Sequence, residues 1–312
     1  MRRKRWKPKM AGMLLLLLAL FLVVGNAEEE KADAGGRWTY VLEGSGITIT
    51  GCVDEPYGDL ALPGELDGYP VTGVGPGAFE MCLELTGVSV PEGVKSIGPA
   101  AFGYCENLTR IILPESLTSI GESAFYSCYN LTDIAIPAGV ESISAGAFMG
   151  TGLTSAVVPP GVGGIADELF SHCSRLFHVV ISEGVTSIGD SAFYRCGGLA
   201  GISVPGSVTS IGEFAFFRCA GLESVVIPEG VTCIGSHAFA ACAGLSGVTI
   251  PASVTSIGDR AFDAPGAVYI ADEIDEEEWV YGSGSLILTV TEGGAGEWFA
   301  KENHIPYVFA VK

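Results

Sequence analysis

Nucleophile and ligand chemistry in this chain would have to come from nine cysteines and four histidines, and their spacing limits what they can do. Seven cysteines (Cys82, Cys105, Cys128, Cys173, Cys196, Cys219 and Cys242) recur at one position of a period of about 23 residues. Equal position means equal environment, and a thiol repeated once per period reads as small, weakly polar core filler. Cys52 and Cys233 lie off that column. Disulfides remain open at this level. Coils about 5 Å apart fall within the Cα separation of a bridge, yet stacked side chains point in parallel, and an odd number cannot pair fully. His172, His178, His237 and His304 include no pair at the spacing of a zinc-binding helix. His172 beside Cys173 comes nearest to a Cys-His pair, but sequence neighbours rarely form such a dyad. The acidic run Asp272–Glu278 lacks the glycine-punctuated ligand alternation of a calcium loop and reads as a solvated loop. The expectation is a chain with no catalytic residues, no metal and no cofactor.

The elements that hold these residues follow from the same period. A branched aliphatic opens each unit, from Val71 and Val94 through to Val254, and a second follows three residues later, from Val74 and Ile97 to Ile257. An Ala-Phe pair comes next, as in Ala101-Phe102 and Ala192-Phe193, with Leu169-Phe170 as the variant. A phenylalanine recurring in this way is a core column. Each unit closes on Leu-x-x-Ile/Val-x-Ile/Val-Pro, as in Leu131–Pro137 and Leu222–Pro228, which is a short strand with a proline stop. Units that enter in the same direction place these strands side by side in a parallel sheet. One such coil cannot bury its apolar face alone, so the array must stack and its ends need caps.

The expected fold is therefore an α/β, β-rich right-handed solenoid with a parallel sheet, short helical turns and a cap at each end. Residues 28–70 are assigned to the N-terminal cap, 71–262 to nine repeats, and 263–312 to the acidic loop and C-terminal cap. Strands are expected at Trp38–Leu42, Ile47–Gly51, Leu60–Pro63, Leu286–Val290 and Ile305–Phe309, with a helical stretch over Gly296–Asn303. Two units depart from the pattern. In the fourth, Leu153 arrives one place early, Thr151 replaces cysteine, and Pro159-Pro160 follows, which predicts a local kink or altered curvature. The ninth has Pro265 in place of cysteine and lacks the strand pattern, so regular coiling is expected to fail after Phe262.

The repeated sentence Val-x-x-Ile-Gly-x-x-Ala-Phe-x-x-Cys-x-x-Leu-x-x-Val-x-Ile-Pro resembles the BspA-like, or Treponema pallidum-type, leucine-rich repeat of bacterial surface and secreted proteins. The resemblance spans Val71 to Phe262. It implies a binding role, in adhesion or in holding extracellular proteins, and no catalysis.

Residues 1–27 read as a secretory signal peptide: six basic residues, an apolar run from Ala11 to Val24, and a cleavage site after Ala27. That run is too short to span a bilayer, so no membrane insertion is expected after cleavage, and the mature chain is expected to be extracellular, either free or associated with the cell surface. All 36 acidic residues and only ten of the 16 basic ones lie beyond Ala27, a net charge of −26 that repels nucleic acid.

In such a solenoid the residue between the two buried aliphatics of each strand faces outward, along the presumed concave face. That ladder reads Ser89, Ile112, Ala135, Val157, Val180, Ser203, Val226 and Thr249, and five of its eight members are apolar. β-Branched residues favour strands anyway. A sharper reading makes the stretch from Ile112 to Val180 the floor of a groove for an extracellular protein or peptide, flanked by Arg110, Asp133, Phe177 and His178. A second candidate surface is the turn after each Ala-Phe, where Tyr104, Tyr126, Tyr194 and Phe217 read as padding between coils; glycan recognition there lacks clustered polar partners. The competing functional class is an envelope-organising protein without a discrete partner site.

Overall fold

The computed structural model describes residues 29–263 and 286–310. Residues 1–27, read above as a signal peptide, and the acidic run 272–278 lie outside the described residues. The molecule is a mostly β solenoid whose coils stack through two ladders of parallel strands. One ladder is made by the segments ending each repeat. Its registers advance by 23 residues per coil, as in Ser155↔His178 and Gly201↔Ser224. The other is made by two-residue strands at the Ser-Ile dipeptides, as in Ser96–Ile97, Ser119–Ile120 and Ser142–Ile143. The glycine after most of these isoleucines is dictated by close approach. A Cβ at Gly121 would lie 2.6 Å from the backbone of Gly98 and Pro99, and one at Gly235 would lie 2.5 Å from Gly212.

Between the ladders runs the phenylalanine column. Nine rings from Phe79 to Phe262 are fully buried and near-parallel, with centroids 5.0 to 5.7 Å apart. The turns that carry them are not helical. In most, the residue before Ala-Phe and the one two places after Phe adopt positive φ, as at Ala100 and Tyr104 or Ser191 and Arg195. This geometry turns backbone amides toward the next coil, so that Phe102 N donates to Ala124 O and Tyr104 N to Tyr126 O.

At the N-terminal end, Trp38–Glu43 and Gly46–Cys52 form an antiparallel hairpin, and Gly46–Cys52 then pairs in parallel with Tyr69–Val74. At the other end the strand ladder does not fail where the period does. Gly247–Ile250 pairs with Ile287–Val290, which lies 40 residues downstream instead of 23, and that strand pairs with Tyr307–Phe309. Helix Ala295–Glu302, the one helix among the described residues, sets Phe299 edge-on against Phe262 with centroids 5.9 Å apart, closing the column.

The short fourth unit breaks the stacking. Residues 131–137 form no strand, so the expected continuous sheet is divided into a three-stranded part ending at Arg110–Ile112 and a seven-stranded part beginning at Ser155–Val158. Ser142–Ile143 pairs back to Ser119–Ile120 but not forward to Ile165, which instead bridges to Ile188. On the turn side the coils stay joined, with Gly146 N donating to Asp167 O, Phe148 N to Leu169 O and Gly150 N to Ser171 O.

Candidate functional site

The cysteine column is structural. All nine thiols are free. The Sγ of Cys105 donates to Phe79 O at 3.1 Å, and Cys128, Cys173, Cys196, Cys219 and Cys242 repeat that bond to the phenylalanine carbonyl of the coil before. Burial pushes the Cys105 thiol up to about 12 and Cys173 up to about 11, the opposite of what a nucleophile needs. Cys173 contacts Thr151 Oγ1 at 3.2 Å, whereas the neighbouring His172 is exposed and lies tilted against Tyr194, so the two form no dyad. Asn107 and Asn130, which match a glycosylation pattern, donate to Leu83 O and Glu106 O of the preceding coils.

The outward strand positions sit as the alternation requires. Ile112 is 63% exposed, Val157 54%, Val180 42% and Val226 68%, while their strand neighbours Ile111, Val158, Val179 and Val225 are buried. Val157, Val180, Ser203, Val226 and Thr249 stand in register across successive coils. Phe177 is 57% exposed beside exposed His178, at the edge of the same face. Ala135 and Asp133 are exposed on the coil that forms no strand, so the floor from Ile112 to Val180 is interrupted there. Arg110 is already paired with Asp59 across the coil before, Nη2 to Oδ2 at 2.5 Å, over Gly87, where a Cβ would lie 2.3 Å from Asp59 Oδ1.

Two contributors escaped sequence reasoning. The resumed ladder adds exposed Ile287 and Val308 to this face. The alternation Leu286-x-Leu288-x-Val290 is the signal for them, hidden because it falls out of period. On the turn side, Tyr104 and Tyr126 meet edge-on at 4.9 Å, and Tyr194 stacks on the buried Phe217 at 5.2 Å. These rings do pad the turns.

Parallel ladders, a phenylalanine column and a thiol column running through most coils define a leucine-rich-repeat solenoid with an exposed strand face. The model of the BspA type leucine rich repeat region matches residues 72–155 and 141–266 in six copies, and the chain belongs to that family. A leucine-rich repeat protein from Bacteroides ovatus is similar at 29% identity and TM-score 0.66, over 71% of this chain and 60% of that one. A leucine rich cell surface protein from Faecalibacterium prausnitzii is similar at 29% identity and TM-score 0.62, over 77% and 75%. The T. pallidum leucine rich repeat protein is similar at 29% identity and TM-score 0.52, over 69% and 91%. The chain thus spans 60% of the length of the Bacteroides protein. Comparison with curated proteins gave no match. Among the described residues no helix is long and apolar enough to cross a membrane.

Proposed function

We propose that this chain is a secreted or cell-surface, non-catalytic binding protein that holds an extracellular protein or peptide on the outward face of its strand ladder. The observation that carries this reading is the set of exposed aliphatics, Ile112, Val157, Val180 and Val226, on a face flanked by Phe177 and His178. Family membership, likeness to a cell-surface protein and the leader-like residues 1–27 support the location. The acidic balance disfavours nucleic acid as partner. Burying an aliphatic side chain contributes about 1.5–3 kcal/mol, so three centred in an interface account for more than about 100-fold in affinity.

The test is biolayer interferometry of the mature chain against purified extracellular-matrix and envelope proteins, with the triple variant Ile112→Glu, Val157→Glu, Val180→Glu beside it. All three positions are exposed, so the variant should melt like the parent. Loss of a saturable interaction in the variant supports the reading. Unchanged binding removes it, and the absence of any saturable partner favours an envelope-organising role.

A further inference from the structure

The shortened fourth unit leaves a depression of about 390 Å³ on the turn side, away from the strand face. Cys128 is followed by Tyr129 and Asn130 before Leu131, whereas Thr151 is followed by Gly152 alone before Leu153. Asn130 bridges to the coil before it, and Gly152 has no side chain to do so. The backbone sinks instead: a Cβ at Gly152 would lie 2.2 Å from Tyr129 O. Gly150, at φ 69°, adds a second position without a side chain. A low floor of Gly150, Thr151 and Gly152 thus lies between Tyr126 and Tyr129 on one coil and His172 and Arg175 on the next.

The charge of this depression runs against that of the molecule. The chain carries a net −20, yet no acidic residue lines the depression. Arg175 is exposed, and its guanidinium makes no ion pair or hydrogen bond with any described residue. His172 is exposed, and its Nδ1 meets Ser171 Oγ at 2.9 Å. Tyr129 lines the depression and is 52% exposed. An aromatic face suits the apolar side of a pyranose, a guanidinium forks a carboxylate, and imidazole and hydroxyl groups meet ring hydroxyls. A peptide strand has no edge to join here, because residues 145–153 form no strand.

We propose that this depression binds a carboxylate-bearing pyranose, a uronic or sialic acid residue of a glycan, with the carboxylate on Arg175 and the ring against Tyr129. Arg195 and Arg218 occupy the turn position of His172 in the next two coils, over Tyr194 at 5.4 Å and Phe217 at 5.6 Å. An acidic oligosaccharide long enough to reach Arg195 should bind more tightly than the monosaccharide.

The test is saturation-transfer NMR with titration of the mature chain by glucuronate, N-acetylneuraminate, tetragalacturonate, glucose and acetate. At least one acidic sugar should bind about tenfold or more tightly than glucose or acetate, reflecting one charge-assisted fork plus ring contact. Arg175→Met should reduce that sugar to the level of glucose, and Tyr129→Ala should weaken it about tenfold. Both side chains are exposed, so circular dichroism should be unchanged. The triple glutamate variant of the strand face should bind the sugar normally, which separates this site from the one above. Equal binding of acetate and acidic sugars, no acidic-sugar binding at tens of millimolar, or full binding by Arg175→Met would each overturn the proposal.

Discussion

Raising the pH from 8.5 to 9.5 should destabilise this fold steeply, and the reason lies in the thiol column. Cys105, Cys128, Cys173, Cys196, Cys219 and Cys242 are at most 2% exposed. In the unfolded chain each ionises near 9, whereas burial raises Cys105 and Cys242 to about 12, Cys173 to about 11, and the others well above 9. The folded state keeps protons that the unfolded state releases. The stability tied to each thiol is therefore complete below pH 9 and is lost as the pH climbs through 9 toward 11 and 12. With about 1.4 kcal/mol per pH unit for each fully released proton, one thiol loses about 0.7 kcal/mol across this window and six lose about 4 kcal/mol. That is a large part of the roughly 5–15 kcal/mol that holds a typical domain. The figure depends little on how high the folded values lie, because all of them exceed the window. Urea unfolding followed by circular dichroism at pH 7.5, 8.5, 9.0 and 9.5, under reductant and without oxygen, measures it. The double variant Cys196→Ala, Cys219→Ala should lose about a third of the slope while being less stable at every pH. A fall of less than about 1 kcal/mol across the window, or an unchanged slope in the double variant, would refute the reasoning.

Two further outcomes follow from the packing. Phe193 stacks between Phe170 at 5.5 Å and Phe216 at 5.1 Å, so Phe193→Ala should cost about 3–5 kcal/mol in urea unfolding. Because each coil touches only its neighbours, hydrogen exchange should speed up around that coil first; uniform acceleration along the array would contradict the nearest-neighbour picture. Gly152→Ala and Gly163→Ala form a matched pair. A Cβ at Gly152 meets Tyr129 O at 2.2 Å, whereas one at Gly163 meets nothing within 4 Å. The first should destabilise by about 1–3 kcal/mol, and the second should be neutral or stabilise by up to about 1 kcal/mol. Equal effects would mean that the short coil has room to shift.

The fold was legible because its units repeat. Phe102 and Phe193 occupy one position, so a single inference about stacking served nine rings. The same reasoning identified the thiols as core, although it could not reveal the Sγ–H bond to the carbonyl one coil back, since that contact joins residues 26 apart through space. What stayed hidden lies where the period slips. Leu286–Val290 carries the strand alternation, but its displacement concealed that it extends the ladder from Gly247–Ile250. For Arg110, sequence gave the face but not the partner, because Asp59 comes from 51 residues earlier, outside the repeats.

The slip in the fourth unit has a physical consequence that the regular units avoid. When coils are 23 residues apart, every backbone donor on a strand finds the same acceptor one coil away, and both ladders close together. Deleting one residue between Cys128 and Leu153 lets only part of the coil stay in step. The turn side keeps its bonds through Gly146, Phe148 and Gly150, while residues 131–137, which close the unit before, stay out of the sheet and Ile143 finds no strand partner in the next coil. Unmade ladder bonds cost stability, and a 23-residue unit would restore them, so the short unit is the least economical part of the array. Its local product is the depression floored by Gly150 and Gly152 and walled by Tyr129, His172 and Arg175. A solenoid whose regular positions are committed to holding coils together has its freedom to bind in two places: outward side chains on the strands, and the coil that breaks step. The strand face offers aliphatic surface suited to a protein, and the broken coil offers an aromatic and cationic pocket suited to an acidic sugar. Different chemistry at the two places means that each can be removed without disturbing the other.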